Sequence, residues 1–153
     1  MKTVIALLLA MASLVTAGSA EARVRFSGIM VITGNSGSLT CSYRSVGDTV
    51  VVRFLPAGVA DNGADSWLTL TYDEYVNAYV LSGGSFGSTF QTVNQIEVGV
   101  STANVASQVK FTSQIPATID ATTQTLWITG AIKAYYDSDP QCNVTFRLAA
   151  TRF

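Results

Sequence analysis

The chain predicts an all-β fold, an antiparallel β-sandwich or small β-barrel of about 8–10 short strands with one disulfide. Three observations carry that expectation. Apolar and polar residues alternate with a period of two in segment after segment, turn-forming residues recur at close spacing between those segments, and no stretch has the period of a convincing helix.

The clearest element is the last, residues 142–153. Cys142, Val144, Phe146, Leu148 and Ala150 form an apolar row, and Asn143, Thr145, Arg147 and Thr151 a polar one. At the other end of the chain, Val24, Phe26, Met30 and Ile32 alternate against Arg23, Arg25 and Ser27, and the turn formers of residues 34–38 are expected to end that strand. Residues 49–55 are rich in β-branched side chains and stop at Pro56. After the irregular residues 57–66, two short strands over 67–72 and 75–81 flank Asp73-Glu74, with a single helical turn through 73–78 as the competing reading.

A turn at residues 82–85 leads to a segment over 86–93 in which Phe86 and Phe90 share a face. Strands follow over 96–100 and 105–111. Pro116 implies an edge or a strand start near 115–119, because proline cannot donate to a ladder. Residues 126–136 form the penultimate strand, and residues 137–141 turn the chain into the last.

Residues 1–22 read as a cleaved secretory signal peptide: Lys2, then an apolar run too short to span a bilayer, then small residues with Ala20-Glu21-Ala22 as the cleavage pattern. Residues 23–153 then form a single all-β domain, exported to the periplasm or beyond the cell. In that oxidising setting Cys41 and Cys142 are most simply one disulfide, closing a loop of about a hundred residues and contributing about 4 to 5 kcal/mol in the chain-entropy picture.

Composition removes several functions. Charged residues make up 12% of the chain, the formal net charge is −1, and there is no basic run, so nucleic acid is set aside as a partner and a membrane surface is disfavoured. The chain contains 0 histidines, which excludes Ser-His-Asp, Cys-His and ordinary catalytic zinc arrangements. No cofactor is expected.

Catalysis by carboxylates alone would need two facing acids. Glu97 is the one acid inside an expected strand, on the face opposite Ile96 and Val98, where a water-facing role is the simpler reading. Asp61, Asp65, Asp137 and Asp139 offer oxygen ligands of the kind calcium takes, but lack the spacing of a calcium loop and read as turn residues. The aromatic residues Trp67, Tyr72, Tyr75, Tyr79, Trp127, Tyr135 and Tyr136 favour core or rim packing; Trp127 shares a face with Thr129 and Lys133 and is expected to be partly exposed.

The function these features favour is a small exported, non-catalytic β-domain that binds or scaffolds a small ligand, glycan or protein. The first alternative is a small outer-membrane barrel, which shows the same alternation. Against it, the terminal Phe153 falls on the polar row with Arg147 and Thr151, and the strands are short for spanning. An enzyme using carboxylates only is the second alternative.

Overall fold

The structure, a computed structural model, describes residues 23–36, 41, 44–73, 75–98, 104–136 and 140–153, with backbone alone at 104 and 105. Residues 1–22, and Asp137 and Asp139, lie outside the described residues. Eight strands follow one another: β1 (Phe26–Ser36), β2 (Thr49–Leu55), β3 (Ser66–Tyr72), β4 (Tyr75–Leu81), β5 (Gln91–Val98), β6 (Asn104–Ile115), β7 (Thr125–Lys133) and β8 (Asn143–Arg152). Each pairs antiparallel with the next, and β8 returns to pair with β1 from Phe26↔Arg152 to Ser36↔Asn143, so the meander closes into a barrel. Of the two architectures the sequence allowed, the barrel is the one adopted. Alternation is identical in both, and only the β1–β8 register distinguishes them.

Period two places one row of each strand inside. Phe26, Met30 and Ile32 of β1 face Val50, Val52 and Phe54 of β2, Leu68 and Leu70 of β3, Leu126, Ile128 and Ile132 of β7, and Val144, Phe146 and Leu148 of β8. Eight strands leave an interior that side chains can just fill. The bulkiest fully buried groups, Tyr79, Tyr135, Phe26, Phe146 and Met30, fill it. Each large apolar side chain removed from water contributes roughly 1.5–3 kcal/mol, so this row is the main source of stability.

We call the end where β1 begins the lower end. There residues 82–90 fold across the opening. Phe86 packs its ring 4.8 Å from Phe111 and 6.1 Å from Phe54, and Phe111 in turn meets Phe146 edge-on at 6.2 Å. Gly130 makes room for this cluster, since a Cβ there would lie 2.6 Å from Cζ of Phe146. Asn62 seals the same end: it accepts from the backbone N–H of Val24 at 2.8 Å and donates to the carbonyls of Val24 and Pro56 at 2.8 and 2.7 Å.

Several boundaries differ from expectation. Strand β1 runs on through Ser36 because pairing with β8 supplies its backbone partners, with a bulge between Ile32 and Gly34 absorbing the turn formers. The segment 86–93 divides. Residues 85–90 are loop, held by Gln91, whose side chain accepts from Gly87 N–H at 2.5 Å and donates to Ser85 O at 3.2 Å. Phe86 is buried inside the barrel, whereas Phe90 lies against lysine side chains of the outer wall, so the two do not share a face. No separate strand begins at Pro116; Ile115 is the last residue of β6, which pairs with β7 down to Ile115↔Trp127. The competing helical turn at 73–78 is replaced by the tight β3–β4 hairpin, with Asp73 at φ 47° in the turn.

Candidate functional site

At the upper end the interior turns polar. Asn77 of β4, Gln95 of β5 and Ser107 of β6 point inward and are buried, although none is apolar. Their partners are carbonyls of the chain leaving β7. Ala134 adopts φ 52°, and the carbonyl of Tyr135 then accepts from Tyr79 Oη at 2.6 Å, Gln95 Nε2 at 2.9 Å and Asn77 Nδ2 at 3.4 Å. Ser107 Oγ contacts both the Ala134 carbonyl, at 2.8 Å, and Gln95 Oε1, at 2.7 Å. The polar side chains therefore solve a backbone problem: two carbonyls enter the barrel mouth and must be paired there.

The disulfide fixes the same end. Cys41 and Cys142 are bonded with Cα atoms 4.9 Å apart, and Tyr135 N–H donates to the Cys142 carbonyl at 2.9 Å. Arg44, three residues after Cys41, lays its guanidinium 3.9 Å from the Tyr72 ring centre and 6.0 Å from that of Tyr136. Burial works against the Arg44 charge, but the surrounding tyrosine oxygens of Tyr136, Tyr135 and Tyr72 outweigh it and hold its pKa above the usual value. Burial likewise pushes the hydroxyls of Tyr72, Tyr79, Tyr135 and Tyr136 upward, so all four stay protonated at neutral pH. Tyr135 Oη and Asn77 Oδ1 have no hydrogen-bond partner among the described residues.

Glu97 belongs to this interior cluster, which corrects the expectation that it faces water. Val93, Gln95 and Glu97 form the inward row of β5, and Val98, 56% exposed, faces out. Apolar neighbours misled the sequence reading: Ile96 and Val98 look like a core row only if the core is assumed apolar throughout. Glu97 is the one buried acid among the described residues, and Asp48, partly exposed in the β1–β2 connection, acts on the same tyrosines, Tyr135 and Tyr136.

The outer wall carries different features. A groove of about 480 Å³ crosses β6, β7, β8 and β1, lined by Lys110, Thr112, Lys133, Asn143, Thr145 and Asn35 among others, with Phe90 at its edge. A smaller one of about 280 Å³ has Ala149 as its floor between Ile29 and Trp127. The register continues that second groove into an outward apolar row, Val51↔Ile29↔Ala149↔Trp127↔Ile115, of which Trp127 is 62% exposed.

The remaining sequence candidates separate cleanly. Trp127 is exposed as expected and Trp67 sits on the outer wall, whereas Tyr72, Tyr79 and Tyr135 are core and Tyr75 and Tyr136 rim it. Asp65 accepts from Gly83 N–H at 2.9 Å and so ties two lower loops together, as a turn residue would. Asp61 lies in the same loop, and among the described residues no three Asp, Glu, Cys or His groups converge as metal ligands. Asn77, Gln95, Ser107 and Arg44 had no signal in the sequence beyond their polarity. No protein-family model matches the chain, and comparison with curated proteins and solved structures finds none similar to it.

Proposed function

We propose that the chain is an exported, non-catalytic binding module that takes its ligand on the outer wall of the barrel, in the periplasm or outside the cell. The observation that carries this reading is the division of space: the interior is filled by Tyr79, Tyr135, Phe26 and Phe146, while the grooves beside Trp127 and Phe90 open on the outside. A carrier of the lipocalin kind would need the interior for its ligand. An exposed tryptophan beside a small-residue floor is suited to stacking on a sugar ring or an apolar side chain. The outer faces of the strands bear Thr49, Thr69, Thr71, Thr129 and Thr145 and the cations Arg53, Lys133 and Arg147, an unfavourable surface for hydrocarbon.

The test is a binding screen of the purified protein against a glycan array and a panel of fatty acids and other apolar small molecules, with hydrogen exchange locating any hit. A ligand that protects outer-wall residues of β1 and β6–β8 is the expected result. Uptake of an apolar molecule that alters the near-ultraviolet signal of Tyr79 and Tyr135 and protects the inner rows would refute an outer-wall site.

A further inference from the structure

The charges of this protein are sorted by location. Within the eight strands, Arg53, Lys110, Lys133, Arg147 and Arg152 are basic, and the one acid, Glu97, is buried. The other described acids, Asp48, Asp61, Asp65, Asp73 and Asp120, all belong to connections between strands. A chain with a formal net charge of −1 thus presents a barrel wall whose own charges are positive.

The sorting is sharpest in the larger groove. The chain has three lysines, Lys2, Lys110 and Lys133, and the latter two converge on one ring: Lys110 Nζ lies 4.6 Å and Lys133 Nζ 4.3 Å from the centre of Phe90. The ammoniums are therefore within about 9 Å of each other, each held by the ring's negative face. Among the described residues, no carboxylate lines the groove. Beside the two lysines, on β8, at the end of β1 and farther along β6, lie neutral hydrogen-bonding groups, Asn143, Thr145, Asn35, Ser36 and Thr112. The shape is also built. The two register shifts among the described strand pairs, at Ile32/Gly34 of β1 and Phe111/Ser113 of β6, bracket the β7–β8 pair that floors the groove. Bulges bend a wall and re-aim its side chains.

We infer that this groove binds an acidic saccharide, a sugar chain bearing carboxylates, with Lys110 and Lys133 pairing the acid groups and the amides and hydroxyls beside them taking ring hydroxyls. The inference rests on the outer-wall reading above and names its ligand class. Two point charges at one side of a strip of amides and hydroxyls suit sparse charge on a polyol. A nucleic acid would call for a longer cationic track and for forked arginines on its phosphates. The volume, about 480 Å³, falls in the range of sites for small organic ligands rather than for a lone ion.

Affinity electrophoresis and calorimetry with polygalacturonate, at low salt, test this directly. Neutral dextran, duplex DNA and phosphatidylglycerol vesicles serve as comparison probes. The expected result is polygalacturonate binding that weakens about tenfold in Lys110→Gln and again in Lys133→Gln, each losing one charge-assisted contact. Arg53→Gln, on the wall formed by β2, is expected to bind as the parent does, and unchanged melting of all three variants shows that folding is intact. Binding that survives the double lysine substitution overturns the inference, as does DNA or vesicle binding equal to that of polygalacturonate. Neutral dextran bound by parent and double variant alike would also overturn it, while leaving the outer-wall reading in place.

Discussion

The two ends of the barrel are closed by different chemistry. At the lower end, rings of Phe54, Phe86, Phe111 and Phe146 pack against one another, and one residue, Asn62, uses both ends of its amide to pair backbone groups of Val24 and Pro56. At the upper end, Tyr79, Gln95 and Asn77 share a single carbonyl, Tyr135 Oη is left without a partner among the described residues, and a covalent bond ties the β1–β2 connection to the start of β8. Ring packing tolerates small displacements better than a hydrogen-bond network does. The polar end is accordingly the one that has a covalent tie, and the two ends should fail under different insults.

The largest difference is expected from removing that tie. Replacing Cys41 and Cys142 together by serine should cost about 4 to 5 kcal/mol by chain entropy, and a fall in the urea midpoint would measure it. A change below 1 kcal/mol would mean that the upper network holds without its bond. Next is Asn62→Ala at the lower end, expected to cost about 2–3 kcal/mol because it strands a buried N–H and two carbonyls at once.

Alkali should discriminate between the ends without mutation. Tyrosines with folded pKa values above the unfolded value of about 10 keep protons that the unfolded chain has lost. Stability is therefore unaffected by them below pH 10 and falls above it, with Tyr79 and Tyr135 each contributing up to about 1.4 kcal/mol per pH unit. The share of tyrosinate absorbance that belongs to Tyr79 and Tyr135, read as the difference from Tyr79→Phe and Tyr135→Phe, should rise together with unfolding as a single event. Ionisation well ahead of unfolding would show the upper end to be open.

The smallest effects form a pair of opposite sign. Tyr79→Phe should cost about 1 kcal/mol, cushioned because Gln95 and Asn77 still serve the same carbonyl. Tyr135→Phe, which removes a buried hydroxyl with no hydrogen-bond partner among the described residues, should be neutral or stabilising by about 1 kcal/mol. Equal costs for the two would mean that the hydroxyls are not distinguished in this way.

The same contrast explains what was legible in the sequence. Strands β2, β3 and β4 fall within a residue of expectation because Pro56, Asp73 and Gly83 punctuate rows of clean alternation. The lower end follows the ordinary rule that the core is apolar. The upper end breaks it: Glu97, Gln95, Asn77 and Ser107 face inward because the Ala134 and Tyr135 carbonyls do, and that turn is fixed by tertiary contacts rather than by local pattern. The lysine pair was invisible for another reason. Lys110 and Lys133 stand on neighbouring strands, and Phe90 reaches them from a loop, so the β6–β7 register and the course of that loop together bring the three side by side.

Closure itself has a further consequence. Once Arg152 pairs with Phe26 and the remaining rungs of β1–β8 are made, every strand has a neighbour on both sides. Over the paired lengths another protein cannot extend the sheet by laying down a strand, and main-chain templating of this chain by its own copies is blocked there for the same reason. Whatever docks on the paired strands has to be read by side chains standing on a curved surface whose ladder is already made. Specificity is thereby assigned to a few substitutable residues, and binding could change in evolution without disturbing the ladder beneath.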